Sequence, residues 1–216
     1  MLFDNTLNLF PMFLGCIAGV KVRISESISK GDKNEKKTLI KYILRAFSHW
    51  FTNCYMANSI DCGIWQFGKK TYDRGKVNIF KTVIDANANS FNAKLREDTR
   101  KEFGWENKIV YGFIGRYVSQ KNPFFLIDIF NEIAKKQENA ILVMIGFGEL
   151  ADEMHDRIER YGVADRVVDL GRRDDIKQFY NAFDAFLLPS LYEGMPVVGI
   201  EAQCAGLPSF FFKEYH

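Results

Sequence analysis

Hydrophobic and polar positions alternate regularly in the second half of the chain. Short apolar runs, each typical of a buried strand, are separated by segments with helical periodicity. Strands that alternate with helices in this way are typical of βαβ units, so we predict a parallel sheet with helices on both faces. The predicted strands are 108–116, 140–146, 166–171, 184–190 and 207–212, and the predicted helices are 122–137, 148–162, 174–183 and 196–206. Pro123 is expected at the first position of one helix, and Gly162 is expected to end the next.

The first half of the chain is less regular. An apolar start, interrupted by Pro11, predicts a helix that leads into a strand, and a charged loop follows. The polar stretch 85–105 predicts a loop that leads into a helix. We place the domain boundary there, near 86–106, and predict domains at 1–90 and 106–216. The remaining predicted elements are strands at 20–25 and 76–84 and a helix from 38 that runs into a short strand by 58.

Composition excludes several classes of protein. The 29 basic and 27 acidic residues nearly balance, which argues against a nucleic-acid partner. Four cysteines without CxxC spacing are expected to be buried free thiols, and three scattered histidines give no metal site. The apolar start has no basic n-region and is too short to span a membrane, so we predict a cytoplasmic protein that is free to touch a membrane surface.

Arg116 and Lys121 lie on either side of one predicted strand-to-helix turn, in the stretch GRYVSQKNP. The start of a helix offers free backbone N–H groups and the positive end of its dipole, and two cations there suit a diphosphate. The alternative is that both are ordinary solvated surface cations. Spacing alone leaves both interpretations open.

The stretch SLYEGMPVVGIEAQCAGLPSF places Glu193 and Glu201 around an apolar helix that follows a strand. Carboxylates suit a neutral polyol, and Glu201 is suited to a vicinal diol such as ribose. Alternatively, Glu193 only caps the helix and Glu201 faces water, although a carboxylate on a buried helix needs a partner. Backbone amides at the helix start, which suit anionic oxygens and sugar hydroxyls, come from Gly194, Met195 and Val197 beside Pro196.

Two further motifs are weaker. IGFGELA at 145–151 matches a dinucleotide fingerprint, but it follows the second strand of its domain, so a tight turn beside another nucleotide is the preferred interpretation over an NAD site. In LGRRDD, Arg172 and Arg173 are able to border a base, although an exposed loop explains them equally well.

Residues 108–209, with these motifs in order, resemble the sugar-donor half of the retaining glycosyltransferases of family 4. The capsule and exopolysaccharide enzymes are the most similar in character. The resemblance implies a GT-B fold with two Rossmann-like, doubly wound parallel-sheet domains. The substrates implied are a nucleotide diphosphate sugar and a glycan or lipid-linked acceptor, with no metal or other cofactor and with peripheral contact at the cytoplasmic membrane face as an expectation.

The resemblance also implies roles for single residues. Arg116 and Lys121 hold the diphosphate, Glu193 contacts the donor sugar as the candidate catalytic residue, and Glu201 holds the ribose. The backbone of Gly194, Met195, Pro196 and Val197 meets sugar and phosphate, and Gly146, Arg172 and Arg173 border the nucleotide.

The sequence departs from the family pattern in ways that affect the prediction. Where relatives often have histidine after the first strand, this chain has Glu26 and Ile28. The early units of the acceptor domain and the closing strands of the donor domain have no counterpart, so we expect both domains to be incomplete. Two alternatives therefore stay open: an enzyme, or a non-catalytic remnant that only binds nucleotide.

Overall fold

The computed structural model describes residues 9–28, 43–44, 47, 50–81 and 83–212. The chain divides into two compact units. Most of the helix predicted from residue 38 lies outside the described residues. The first unit comprises Met1–Val83 with Glu193–Met195, and the second comprises Ile84–Tyr192 with Pro196–His216.

The first unit contains a parallel sheet of the strands β1 (Ile24–Ser27), β2 (Cys54–Ala57) and β3 (Val77–Ile79), in that order. Its small core is formed by Ala57, Cys62, Phe67 and Val77. Ser59 begins the second helix, where its side chain accepts a hydrogen bond from the Cys62 N–H. The elements are α1 (Leu9–Ile17), β1 (Ile24–Ser27), β2 (Cys54–Ala57), α2 (Ile60–Phe67), α3 (Lys69–Asp73) and β3 (Val77–Ile79).

Two strands of the first unit differ from their predicted bounds. The strand predicted at 20–25 begins only at Ile24, because the Arg23 N–H bonds the side chain of Asn53 instead of a neighbouring strand. The strand predicted at 76–84 ends at Ile79, which is paired with the last residue of β2, Ala57. Helices α2 and α3 have no counterpart among the predicted elements.

The second unit confirms the predicted alternation of strands and helices. Its described strands pair in parallel. In their order across the sheet they are β6 (Val167–Asp169), β5 (Ala140–Ile145), β4 (Ile109–Ile114), β7 (Ala185–Leu188) and β8 (Ser209–Phe211). Pro123 begins one helix at its first position, and Gly162 ends the next in the left-handed region, as the sequence predicts. The elements are α4 (Ala93–Glu102), β4 (Ile109–Ile114), α5 (Pro123–Ala134), β5 (Ala140–Ile145), α6 (Ala151–Tyr161), β6 (Val167–Asp169), α7 (Ile176–Ala182), β7 (Ala185–Leu188), α8 (Val197–Cys204) and β8 (Ser209–Phe211).

The strand order of the second unit reverses between β4 and β7. The chain first builds outward from β4 through β5 to β6, and then crosses back to add β7 and β8 on the other side. In open α/β sheets, ligands bind beyond the carboxyl ends of the strands at such a switch point. The loops after β4 and β7 are therefore the expected position of a ligand site.

The structure also tests the expected burial of the cysteines and the expectation that the chain has no membrane span. Cys62 is buried as predicted, but Cys16 is exposed and Cys54 and Cys204 are half-buried, so general burial of the thiols was wrong. Within the described ranges, no helix combines the length and apolar character needed to cross a membrane.

Candidate functional site

The loops after β4 and β5 lie in direct backbone contact. The Gly115 N–H donates to Ile145 O over 3.0 Å, and the Tyr117 N–H donates to Phe147 O over 2.8 Å. A side chain at Gly146 would place its Cβ 1.9 Å from Gly115 O. Gly146, the first glycine of the motif IGFGELA, is therefore needed for close packing of the two loops.

The loop after β6 is tied to the same two loops. The buried Tyr117 hydroxyl donates to Asp169 Oδ1 over 2.7 Å, and the Gly171 N–H donates to the same oxygen over 2.9 Å. The Gly146 N–H in turn donates to Gly171 O over 2.9 Å. Burial, followed by the bond to Asp169 and its charge, raises the pKa of Tyr117, which keeps this phenol a hydrogen-bond donor. His155 Nε2 lies 3.1 Å from the other Asp169 oxygen.

Arg116 and Lys121 both lie on the loop after β4, at the switch point of the sheet. Arg116 is exposed, whereas Lys121 is half-buried and closes a short 3-10 helix, Ser119–Lys121. Asn122 occupies the N-cap position of α5 in the left-handed region, with φ 51°, and its side chain makes no capping bond. The side-chain cap expected from asparagine is thus not formed, and the start of α5 is left to other partners.

The loop after β7 lies against the loop after β4. The Leu191 N–H donates to Gln120 O over 2.9 Å, and the Gln120 side-chain amide donates to Tyr192 O over 3.1 Å. Helix α8 then begins at Val197, with Pro196 at its N-cap position. The structure thus joins the loops on both sides of the switch point, within the second unit.

Glu201 has the partner that the apolar character of its helix requires. It lies in α8, and its Oε2 accepts a hydrogen bond from the Tyr180 hydroxyl over 2.8 Å. Tyr180 is buried, with 1% of its surface exposed. The side chain of Glu201 is therefore held in place and does not simply face water.

Residues 193–195 belong to the first unit. There, a Cβ at Gly194 would lie 2.2 Å from Ile28 O and 3.0 Å from the side-chain nitrogen of Asn58. The absence of a side chain at Gly194 thus permits a close approach of its backbone to that of Ile28. Glu193 and Met195 are half-buried.

Arg172 and Arg173 are adjacent in sequence but have different surroundings. The Arg172 guanidinium lies over the ring of Phe147, 5.7 Å from its centroid, and its side chain is 73% exposed. Arg173 makes a bidentate pair with Asp175 and lies over the ring of Phe179. Arg172 therefore lies beside the loop that contains Gly146, whereas Arg173 stabilises the start of α7 through Asp175.

Sequence reasoning missed the tyrosines and the aspartate that order this edge of the sheet. Tyr117 lies within the quoted motif GRYVSQKNP, but its partner Asp169 is 52 positions away. Tyr180 and Glu201 are 21 positions apart. No spacing rule links such pairs, although a buried tyrosine is expected to find a partner for its hydroxyl. Among the described residues, no group of three or more histidine, cysteine, aspartate or glutamate side chains is arranged to hold a metal ion.

Comparison with known proteins agrees with this architecture. The glycosyltransferase-type protein EpsF of Bacillus subtilis (strain 168) is 29% identical over 89% of this chain and 51% of its own length. The UDP-Gal:alpha-D-GlcNAc-diphosphoundecaprenol alpha-1,3-galactosyltransferase of Escherichia coli is 35% identical over 47% of this chain and 27% of its own. The chain thus spans about half of EpsF and about a quarter of the second relative.

The fold is shared with solved glycosyltransferase structures. HepE of Anabaena, solved in complex with UDP and glucose, matches with a TM-score of 0.80 over 95% of this chain and 56% of its own, at 20% identity. The chain has the GT-B architecture predicted from its sequence, in two partial Rossmann-like parts. Residues 96–215, more than half of the chain, match the family described as glycosyl transferases group 1, and the chain belongs to that family.

Proposed function

We propose that the second unit binds the nucleotide diphosphate part of an activated sugar, and that the whole protein is a glycosyltransferase. The observation that carries this proposal is the position of Arg116 and Lys121 on the loop after β4, at the switch point of the sheet. The bond between Leu191 and Gln120 supports it further, because it joins the loops that flank this point. The nucleotide sugar is a substrate, and the proposal includes no metal or other cofactor.

The two cations supply the chemistry at the phosphates. Arg116 offers a planar fork of donors and Lys121 a compact point charge, and together they stabilise the negative charge of the leaving diphosphate. Glu201 accepts hydrogen bonds from the ribose hydroxyls. Glu193 contacts the sugar, while the backbone of 194–197 meets sugar and phosphate.

The loops after β5 and β6 supply the residues that border the nucleotide in this proposal. We assign this role to Gly146 and to Arg172, whose guanidinium covers Phe147. Arg173 is the weaker candidate, because Asp175 already occupies its guanidinium in a two-point bond. The assignment of 106–216 to the sugar-donor side and of 1–90 to the acceptor side belongs to the same proposal.

The class of reaction is proposed by similarity. We infer retaining transfer, of the family 4 type, in the synthesis of a cell-surface polysaccharide. The name of the E. coli relative specifies transfer from UDP-galactose to a lipid-linked sugar, which supports a glycan or lipid-linked acceptor for this chain.

Peripheral contact with a membrane is a further part of the proposal. Helix α1 exposes large apolar side chains, with Phe10 67% and Ile17 68% exposed, and Lys21 and Arg23 follow it. Apolar residues next to basic ones suit the surface of an anionic bilayer. Co-flotation with anionic vesicles that is lost in Phe10→Ser/Ile17→Ser tests this point, and flotation of both proteins alike would contradict it.

Calorimetric titration with UDP tests the central assignment. Arg116→Ala and Lys121→Ala are each expected to weaken binding by roughly 1.5–3 kcal/mol, as for charge-assisted hydrogen bonds. Arg160→Ala and Lys135→Ala are matched controls, because these exposed cations lie on α6 and directly after α5, away from the switch point. Equal affinity in all four variants would remove the phosphate assignment.

A further inference from the structure

Tyr180 is buried, and its hydroxyl contacts Glu201, the residue proposed to bind the ribose. Its hydroxyl donates to Glu201 Oε2 over 2.8 Å, and 1% of the residue is exposed. The ring packs against Phe186 in an edge-on arrangement, with centroids 5.9 Å apart. The packing fixes the position of the phenol oxygen, and the phenol oxygen fixes the carboxylate.

The hydroxyl of Tyr180 is a permanent donor. Burial, then the negative charge of Glu201 and the hydrogen bond to it, raise the pKa of Tyr180 well above the ordinary value for tyrosine. The phenol therefore keeps its proton throughout the neutral range. Its proton is therefore available for the bond to Glu201 Oε2, over 2.8 Å.

A carboxylate has more acceptor sites than one tyrosine uses. Two oxygens provide about four lone-pair positions, and the Tyr180 bond occupies one position on Oε2. The remaining positions suit a vicinal diol, which presents two hydroxyl donors side by side. Holding the carboxylate in one orientation before binding reduces the entropy lost when the diol arrives.

We propose that Tyr180 is a positioning residue for nucleotide recognition, which holds the Glu201 carboxylate in the orientation that accepts the two ribose hydroxyls. This inference rests on the proposed function, specifically on the assignment of Glu201 to ribose. It adds a residue on another helix, α7, to the binding machinery. Tyr180 itself acts only through Glu201.

The alternative is that the Tyr180–Glu201 bond only stabilises the fold. Both roles predict that Tyr180→Phe is slightly less stable, so stability does not separate them. The separating measurement is affinity for two probes, UDP and 2′,3′-dideoxy-UDP, because only UDP carries the diol. The phenylalanine variant keeps the ring and its packing on Phe186.

Tyr180→Phe is expected to weaken UDP binding roughly five- to tenfold and to leave dideoxy-UDP binding unchanged. On a Glu201→Gln background the same substitution is expected to have little further effect on UDP affinity, since the two residues act as one unit. Tyr161→Phe is the matched control: its hydroxyl also bonds a carboxylate, that of Asp128, but on α6 and α5. It is expected to leave both affinities unchanged.

The outcomes separate the two levels of the proposal. If Glu201→Gln weakens UDP binding but Tyr180→Phe does not, or if Tyr180→Phe weakens both probes equally, the positioning role is wrong and the ribose assignment stands. If Glu201→Gln affects neither probe, the ribose assignment fails and Tyr180 loses its role with it. Wild-type protein that binds neither probe overturns both.

Discussion

Replacement of Gly146 by alanine is expected to push apart the two loops that form the proposed phosphate site. The new Cβ would lie 1.9 Å from Gly115 O and 2.9 Å from Tyr117 Cε1. Carbon-to-oxygen contacts in proteins lie near 3.3–3.6 Å, so the loops must separate by roughly 1.4 Å. No rotamer change relieves the clash, because the nearest atom belongs to the backbone.

The cost follows from what this separation disturbs. Overpacking of a close contact costs about 1–3 kcal/mol, and one lost backbone hydrogen bond adds about 1 kcal/mol. The bonds at risk are those from Gly115 to Ile145 O, at 3.0 Å, and from Tyr117 to Phe147 O, at 2.8 Å. We therefore expect Gly146→Ala to lower the free energy of unfolding by about 2–4 kcal/mol. Since Arg116 follows Gly115 directly, UDP affinity falls as well.

Urea unfolding, followed by tryptophan fluorescence to which the buried Trp105 contributes, measures the first effect, and UDP titration measures the second. Gly115→Ala is the matched control, because its Cβ would meet only side-chain atoms, at 3.1 Å from Phe113 and 3.7 Å from Lys121. This control is expected to lose about 1 kcal/mol or less. A Gly146→Ala protein as stable as wild type, with unchanged UDP affinity, would refute the packing argument.

Two further predictions concern charged groups inside the fold. The pKa of Asp184 is lowered: burial raises it, but the bond from the Val110 N–H and those from Arg96 and Arg100 outweigh burial. Asp184→Asn is expected to lower the free energy of unfolding by about 2 kcal/mol at pH 7, less than for a fully buried pair because the side chain is 30% exposed. Because the pKa of Asp184 is lower in the folded chain than in the unfolded chain, its carboxylate stabilises the fold above the pKa of the unfolded chain. The difference in free energy of unfolding between wild type and Asp184→Asn should therefore narrow below about pH 4. A difference that stays constant across pH in chemical unfolding would contradict this. Glu26 is 7% exposed, and its Oε2 has no hydrogen-bond partner within the part of the chain that the structure describes. Glu26→Met is therefore expected to raise the free energy of unfolding by about 1 kcal/mol. A lower free energy of unfolding in this variant would indicate that the carboxylate is hydrogen-bonded.

Strands of the second unit were predictable because they are short, mostly apolar runs that alternate with helices along the chain. The strand β5 is buried along its whole length, and its sequence, AILVMI, contains no polar residue. The turn residues were equally informative: Pro123 begins α5, and Gly162 ends α6. Local chemistry determines these features, so the sequence is sufficient to predict them.

Pairings between distant residues were not predictable in the same way. The start of β1 depends on Asn53, whose side chain occupies the Arg23 N–H. The bonds of Tyr117 to Asp169 and of Tyr180 to Glu201 depend on which loops and helices the sheet brings together. A sequence pattern identifies each residue as amphipathic or charged, but strand order decides its partner.

Binding of a nucleotide diphosphate at the switch point of the second sheet is tested most directly by titrating the ¹⁵N-labelled chain with UDP and mapping the amide chemical shifts. We expect the largest changes in the loops at 115–122 and 146–148, beyond the carboxyl ends of β4 and β5. Amides at the opposite ends of the same strands, such as those of Lys108 and Asn139, should stay unchanged. Changes centred on those amino ends, or no saturable change anywhere, would contradict the proposed site.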